Sequence, residues 1–224
     1  MAKFAIVVSG YLHGLSDNIV PFLDKDTDIF VHTWNDKDNG RWITKLNRYK
    51  SKVRNVIVKV EDPISNIALD SLLYSTYQAF NLIENPEQYE SILKFKPDLD
   101  TDIVPYSRRV SKYYNEAKIQ SRPMLNGIKY KECVFGRILY KTLDERMFTA
   151  SPYAWRKMFD KEYGTFTRDC NAIKHKLQDK YGKDYEGSIF WYKYMKDCGL
   201  TLIQDLILKL TNCKYDQSYK QFTE

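Results

Sequence analysis

The chain has 224 residues, 43% of them hydrophobic, and a formal net charge of +6. This length is enough for one sizeable domain with a full core, and the composition is typical of a globular protein rather than a disordered one. No apolar run approaches the roughly 18 residues of a transmembrane helix, and the short apolar N-terminus lacks the length of a signal peptide. We therefore expect a single domain, residues 1–224, in the cytoplasm.

The positive charge is unevenly distributed along the chain. Residues 1–112 carry 15 Lys/Arg and 15 Asp/Glu, whereas residues 113–224 carry 20 and 14. The whole excess therefore lies in the second half, where it allows an anionic partner without requiring one. The four cysteines are widely spaced and form no C-x-x-C pair, which predicts free thiols rather than a zinc site.

Two buried strands open the chain. Residues 4–8 form a continuous apolar run, as in a buried parallel strand. Ser9 and Gly10 follow, and small residues after a first strand let backbone amides approach a nucleotide. Residues 28–34 form a second buried run that ends in polar residues. In an open α/β sheet, strand ends of this kind form the ligand crevice.

The next segment alternates between helix and strand. A basic helix is predicted over residues 41–52, a strand over 56–60, and a helix with regularly spaced apolar side chains over 67–83. Residues 39–60 contain seven Lys/Arg and no acidic residue. Such a charge run is typical of a solvated helix face, and a binding patch is the alternative.

A fourth predicted strand, residues 89–95, leads to an acidic motif. Pro97 ends the strand, and Asp98 and Asp100 follow at once. In an extended segment, residues i and i+2 point the same way, so the two carboxylates can converge on one point. Paired carboxylates suit a hard divalent cation that also holds a diphosphate. A solvated acidic turn is the alternative interpretation.

Residues 105–131 combine positive charge with aromatic rings. They contain seven Lys/Arg, one acidic residue and four tyrosines. This mixture suits phosphate contact with base stacking, and it suits a flexible solvated loop equally well. The residues assigned to contact with an acceptor or with DNA are Arg108, Arg109, Lys112, Tyr113 and Tyr114.

The second half predicts mainly helices. Ser151 followed by Pro152 is typical of a helix start, and further helices are predicted over residues 167–181 and 186–198. A last strand, or a strand followed by a helix, is predicted within residues 200–210. Early strands that alternate with helices predict an α/β fold with a mostly parallel sheet flanked by helices.

Five blocks of the sequence, taken together and in order, match the pattern of a known protein family. They are residues 5–10, 28–34, 89–99 and 144–151, and a helix opened by Glu186 that ends at residues 198–200. In this order, the blocks resemble the small glycosyltransferase-like proteins with a GT-A (Rossmann-like) fold that are found in bacteria, large viruses and tailed phages.

The resemblance implies that different ranges of the chain bind the donor and the acceptor. Residues 1–104 would bind a nucleotide-sugar donor, residues 105–131 would form a basic and aromatic loop, and residues 132–224 would bind the acceptor. The implied donor-binding residues are Ser9, Gly10, Tyr11, His13, His32, Trp34, Lys94 and Lys96. The family usually has Arg at the positions of His13, Lys94 and Lys96, which leaves open how the phosphates are held. For His32, a hydrogen-bonded histidine at a sheet end is an equal alternative to ligand contact.

The resemblance also implies the chemistry. Asp98 and Asp100 would hold Mn²⁺ or Mg²⁺ on the diphosphate of a nucleotide-diphospho-sugar, in particular a UDP-sugar. Asp144 or Glu186 would take the proton of the acceptor hydroxyl if the enzyme inverts configuration. The alternatives are that Asp144 caps a turn and that Glu186 favours a helix N-terminus.

Three functions are compatible with this family. Phage members suggest transfer of a hexosyl or pentosyl group to hydroxymethylated pyrimidines in double-stranded DNA, which the basic second half favours. Bacterial members suggest lipopolysaccharide or capsule glycan as the acceptor. A catalytically inactive module that binds nucleic acid or a protein is the third function, and the replaced Arg residues favour it.

Overall fold

The computed structural model describes residues 4–13, 15, 19–20, 23–37, 39–64, 68–97, 124–125, 128–139, 142–182 and 187–204. The strands in these ranges are β1 (Phe4–Ser9), β2 (Thr27–Trp34), β3 (Asn55–Glu61), β4 (Ser91–Phe95), β5 (Met124–Leu125), β6 (Ile128–Lys129), β7 (Cys133–Leu139), β8 (Thr142–Ala150) and β9 (Thr201–Gln204). The helices are α1 (Asn39–Tyr49), α2 (Ala68–Asn81), α3 (Pro152–Phe159), α4 (Tyr163–Tyr181) and α5 (Gly187–Asp197). None of these helices is both long enough and apolar enough to cross a membrane.

Seven of the described strands form one mixed sheet in the order β3-β2-β1-β4-β8-β7-β9, and β5 and β6 form a separate pair. β1 pairs in parallel with β2 and with β4, β2 with β3, and β7 with β9. β8 is antiparallel to its neighbours β4 and β7. Every strand of this sheet except β8 therefore points the same way, which confirms the predicted α/β fold with a mostly parallel sheet.

The sheet is covered on both faces because its strands bury alternate side chains in two separate cores. One core takes Val7, Phe30 and Ile92 from the strands and is covered by α2, α3, α4 and α5. The other core takes Ile6 and Val31 and is covered by α1. Burial on both faces explains why β1 and β2 are continuous apolar runs in the sequence.

Helix ends follow the sequence signals in the second half. Ser151 caps α3, because its Oγ accepts a hydrogen bond from the Ala154 N–H at 3.2 Å, and Pro152 stands in the first turn. Gly199 follows α5 with a φ of +69°, a left-handed conformation that ends a helix at little cost for glycine. The three described cysteines are free thiols, as predicted.

Candidate active site

The carboxyl ends of the parallel strands β1 to β4 meet at one edge of the sheet, here called the carboxyl edge. It comprises Gly10 after β1, Trp34 in β2, Glu61 in β3, and Lys96 and Pro97 after β4. From β1, the chain adds β2 and β3 on one side and β4 on the other. The strand order therefore reverses between β1 and β4, and ligands of open α/β sheets bind outside such a switch point.

Gly10 gives the carboxyl edge an open approach to the backbone. Its φ is +102°, and a Cβ atom added there would meet no atom within 4 Å. Its N–H is already used inside the protein, since it donates to Ser75 Oγ at 2.7 Å and to the His32 carbonyl at 3.2 Å. The Gly10 amide is therefore already hydrogen-bonded and not free to bind a phosphate, contrary to the expectation that small residues after β1 would offer backbone amides. Gly10 leaves open space beside its Cα atom.

A buried network of polar side chains joins α2 to the strand ends at the carboxyl edge. Ser75 of α2 lies 2.9 Å from His32 Nδ1, and His32 Nε2 lies 2.9 Å from a carboxylate oxygen of Glu61. Ser9 Oγ lies 3.0 Å from the hydroxyl of Thr76, the next residue of α2. Two strand ends and the middle of α2 are thereby held in one arrangement. With no exposed surface and both ring nitrogens occupied, His32 matches the sheet-end alternative left open by the sequence.

The hydrogen bonds fix the tautomer of His32. Burial lowers its pKa below the ordinary 6.5, although Glu61 raises it in part, so the ring is neutral at pH 7. The Glu61 carboxylate can only accept, so the single ring proton lies on Nε2. Nδ1 must then accept from the Ser75 hydroxyl. Protonation of the ring would force that hydroxyl to turn toward the His32 carbonyl, 3.1 Å away.

Glu61 carries the negative charge of this network. Burial acts to raise its pKa, but hydrogen bonds from Lys59, His32 and Tyr74 outweigh it and bring the pKa to about 2. The distances are 2.7 Å from Lys59 Nζ and 2.9 Å from the Tyr74 hydroxyl. Glu61 also lines an open cleft of about 520 Å³, together with Asn35, Val60, Asp62, Ile64 and Tyr74. A fixed carboxylate in a cleft of this size can accept hydrogen bonds from ligand hydroxyl or amino groups.

The loops after β1 and β2 are joined at the surface. His13 Nε2 lies 2.8 Å from a carboxylate oxygen of Asp36, and both side chains are partly exposed. Tyr11 is 44% exposed, and its ring centroid lies 5.9 Å from that of His13. Tyr11 is therefore an accessible aromatic ring at the carboxyl edge, while Trp34 is 1% exposed and stacks on Tyr74.

The two lysines of the β4 segment lie in different surroundings. Lys94 has no exposed surface, and its Nζ lies 5.8 Å from the centre of the Trp191 ring of α5. Lys96 is half-buried and follows the last residue of β4. Of the two, Lys96 lies at the carboxyl edge, whereas Lys94 lies in the core between the sheet and α5.

Several predicted residues lie outside the described residues. They are Asp98, Asp100, Arg108, Arg109, Lys112, Tyr113, Tyr114 and Glu186. Within the described part of the chain, no three His, Cys, Asp or Glu side chains are grouped as metal ligands. The backbone of Asp144 is described. Met147 pairs with Phe95 in antiparallel register, so Asp144, three residues earlier in β8, lies beyond the carboxyl end of β4.

The supporting residues Glu61, Ser75, Thr76 and Asp36 were not predicted from the sequence. Two signals point to them in retrospect. Glu61 is an acidic residue at the end of a strand, and the ends of neighbouring strands were predicted to form the ligand crevice. Ser75 and Thr76 are small hydroxyl residues between the buried side chains of Leu73 and Tyr77 in α2, and both are fully buried. A buried hydroxyl pair requires hydrogen-bond partners on the facing strands.

We expect Ser75→Ala to lower the free energy of unfolding by about 1–3 kcal/mol, because it leaves Nδ1 of buried His32 without its hydrogen-bond donor. Thr44→Ala is the matched control, since its exposed hydroxyl bonds to the Gly40 carbonyl of its own helix. That control should change stability by less than about 0.5 kcal/mol. Urea unfolding measures the change in stability for both variants. Equal changes would show that the buried hydroxyl of Ser75 contributes no more to stability than an exposed one.

Stability should fall as the solution is acidified. The pKa of His32 is lowered on folding, so the unfolded chain takes up a proton first and stability drops as pH falls through 6.5. The pKa of Glu61 is lowered from 4.5 to about 2, so its contribution is present above pH 4.5 and is lost between these values. Urea unfolding across this pH range should show a shallower loss below pH 4.5 for Glu61→Gln than for wild type. Glu84→Gln, at an exposed position, should leave the profile unchanged.

Comparisons with known proteins give similarity in structure only. No protein-family model and no curated protein sequence matches the chain. The glycosyltransferase GlyE of Streptococcus pneumoniae TIGR4 is similar with a TM-score of 0.49 and 8% identity, over 99% of this chain and 50% of that one. Its apo form gives 0.45 and 9%, over 91% and 45%. Apo mouse xyloside xylosyltransferase 1 gives 0.41 and 8%, over 99% and 93%. The chain thus spans about half the length of GlyE.

Proposed function

We propose that this protein is a glycosyltransferase that moves a sugar from a nucleotide-diphospho-sugar to a hydroxyl acceptor. The observation that carries the proposal is the carboxyl edge, where the strand order reverses between β1 and β4 beside the open space at Gly10. In the sequence, Asp98 follows Pro97 directly, and Pro97 is the last described residue after β4. We infer from this adjacency that the acidic motif serves the candidate nucleotide site at the switch point.

The described residues offer a site for a nucleoside at the carboxyl edge, on the β2 and β3 side of the switch point. The open cleft at the ends of β2 and β3 has about 520 Å³, which is within the range of small-molecule sites. Glu61 and Asp62, which line this cleft, offer acceptors to ribose hydroxyl groups or to a base. Tyr11 does not line the cleft, but its exposed ring after β1 offers a stacking surface elsewhere on the carboxyl edge. A nucleoside in this cleft would direct its diphosphate along the edge toward β4.

The acidic motif fits a divalent cation by its donor set. Two carboxylates one residue apart are the oxygen ligands that Mg²⁺ and Mn²⁺ prefer. Asp98 and Asp100 would hold the ion, which when bound neutralises charge on the diphosphate leaving group. Lys96, at the end of β4, adds positive charge beside the same position.

The acceptor side is formed by residues from the second half of the chain. In an inverting transfer, the acceptor oxygen forms a bond to the anomeric carbon while the bond from that carbon to the diphosphate oxygen breaks. The acceptor proton goes to a carboxylate, for which we propose Asp144 or Glu186. The register of β8 supports Asp144, since it places that backbone beyond the carboxyl end of β4.

For the acceptor, we propose a hydroxymethylated pyrimidine in double-stranded DNA. Support comes from the charge excess of the second half and from the basic, tyrosine-rich residues 105–131 that follow the acidic motif. A base inside a duplex must be exposed in the groove or flipped out before its hydroxymethyl group can react. Aromatic side chains can stack on the displaced bases.

The test incubates the protein and Mn²⁺ with nucleotide sugars and one of three acceptors: hydroxymethylcytosine duplex DNA, unmodified duplex DNA, or bacterial lipopolysaccharide. DNA is then digested to nucleosides for mass spectrometry. We expect a hexose or pentose adduct on hydroxymethylcytosine alone. Adducts on lipopolysaccharide alone would reassign the acceptor to glycans, and no adduct with any donor would favour an inactive binding module.

A further inference from the structure

The outer face of α1 is a continuous basic surface. Arg41, Lys45 and Arg48 are spaced four and three residues apart, so they lie on one side of the helix. Lys50 and Lys52 continue the surface into the turn that follows. Arg41, Arg48, Lys50 and Lys52 are exposed, while Lys45 is half-buried. We call these five residues the α1 basic face.

Within the described part of the chain, the four exposed cations of this face form no ion pair with a carboxylate, and residues 39–60 contain no Asp or Glu. Neighbouring cations outside the face are neutralised, since Arg54 pairs with Asp28 at 3.3 Å and Lys59 with Glu61 at 2.7 Å. An ordinary solvated helix mixes both signs, as the exposed residues of α4 do. The four exposed cations of the α1 basic face therefore carry positive charge that no described carboxylate neutralises, whereas Lys45 donates a hydrogen bond to the Leu15 carbonyl.

We propose that the α1 basic face binds the phosphodiester backbone of double-stranded DNA. The 11 residues of α1 span about 16 Å, and one DNA strand carries a phosphate every 3.4 Å or so of helix axis, so several phosphates lie within reach. The N-terminus of α1 adjoins the carboxyl edge, because the Asn39 side chain donates to the Trp34 carbonyl. The choice of DNA as the ligand rests on the proposed function, in which DNA is the acceptor. The inference that the α1 basic face binds a polyanion rests on its charges alone.

The orientation of α1 argues against a membrane surface as the partner. A helix that binds in a bilayer interface exposes apolar side chains beside its basic ones. In α1, Leu46 and Tyr49 are buried, and Trp42 and Ile43 pack against the same core. The large exposed apolar side chains of the described residues all lie elsewhere: Tyr11, Ile57, Val60, Ile64 and Tyr163. Electrostatic contact with a backbone of phosphates needs no apolar insertion.

The test measures binding of a fluorescent unmodified DNA duplex by anisotropy over a series of salt concentrations. The test variant carries R41Q, R48Q, K50Q and K52Q. The control variant carries R168Q, K176Q, K180Q and K196Q, which remove the same charge from exposed positions on α4 and α5. Thermal unfolding confirms that both variants are folded.

We expect the slope of log K against log salt to decrease by about 0.9 for each phosphate that the test variant no longer neutralises. The decrease should be smaller in the control, whose positions lie on helices that cover the opposite core from α1. Equal slopes for wild type and test variant, or equal reductions in both variants, would overturn the proposal. Binding to phosphatidylglycerol vesicles but not to DNA, abolished in the test variant, would replace DNA by a membrane. The binding assay contains no sugar donor, so absence of DNA binding in it does not test sugar transfer. Likewise, absence of sugar transfer would not change the measured DNA binding.

Discussion

Replacing Asp100 with Asn is expected to abolish sugar transfer and to weaken nucleoside-diphosphate binding in the presence of Mn²⁺. The substitution removes one of two proposed ligands of the cation that neutralises the leaving diphosphate. Charge stabilisation of this kind is typically several kcal/mol, so turnover should fall about 100-fold or more. Asp98→Asn should behave in the same way, because both carboxylates serve one ion. Turnover assays at saturating donor and calorimetric titration with UDP measure the two effects.

Asp179→Asn is the matched control for this prediction. It makes the same chemical change at an exposed position near the C-terminus of α4, and it should leave turnover and binding unchanged. If Asp100→Asn retains wild-type turnover and its Mn²⁺-dependent binding, the acidic motif is a solvated turn. The metal site would then have to be removed from the proposed function.

The second large effect is expected at the proposed base. A carboxylate that takes the acceptor proton contributes about 10²–10⁴-fold to the rate, so one of Asp144→Asn and Glu186→Gln should lose activity by that factor. Donor binding should be retained, since the base acts on the acceptor. The register of β8 favours Asp144 as the variant with the larger loss. Single-turnover rates at several pH values separate loss of a base from loss of acceptor affinity.

Glu132→Gln offers a control for the second half, because Glu132 is a described, half-buried carboxylate that lies 3.7 Å from Lys157. It should leave the single-turnover rate near wild type. Near-wild-type rates in both Asp144→Asn and Glu186→Gln would contradict the assignment of a carboxylate base. The reaction would then retain configuration, or the base would lie at another position.

The first half of the fold follows from hydrophobic pattern. β1, β2 and β3 are confirmed within about one residue at each end, because burial on both faces, or a run of β-branched residues as in β3, leaves little choice of secondary structure. β7 and β8 were not predicted as a strand pair. The segment around Asp144 contains a run of three charged residues, which reads as a turn until pairing with β4 and β7 is known. Long-range pairing is not encoded in a local pattern.

α4 shows a similar limit of local patterns. Its predicted start was residue 167, but the helix begins at Tyr163. The extra turn is stabilised by tertiary contacts, since Phe166 stacks on Tyr77 with ring centroids 4.9 Å apart. Those contacts come from α2, which is distant in sequence.

The parts of the candidate site that are strand ends were predictable from the sequence. The side chains that hydrogen-bond to those strand ends were not. The positions of Gly10 and Tyr11 at one edge of the sheet follow from parallel pairing alone. The hydrogen bonds that join His32 to Ser75 and Glu61 depend on how α2 packs on the sheet. Lys94 was assigned to the phosphates from its charge, but its position in a strand that is covered on both faces puts its side chain in the core.

The central claim is that the carboxyl edge binds a nucleoside diphosphate together with a divalent cation. Isothermal titration of the wild-type protein with UDP, GDP, ADP and CDP, each with Mn²⁺ and then with EDTA, tests it most directly. We predict that at least one nucleoside diphosphate, UDP in particular, binds with Mn²⁺ and that EDTA abolishes the heat of binding. Absence of binding by all four in the presence of Mn²⁺ would contradict the claim.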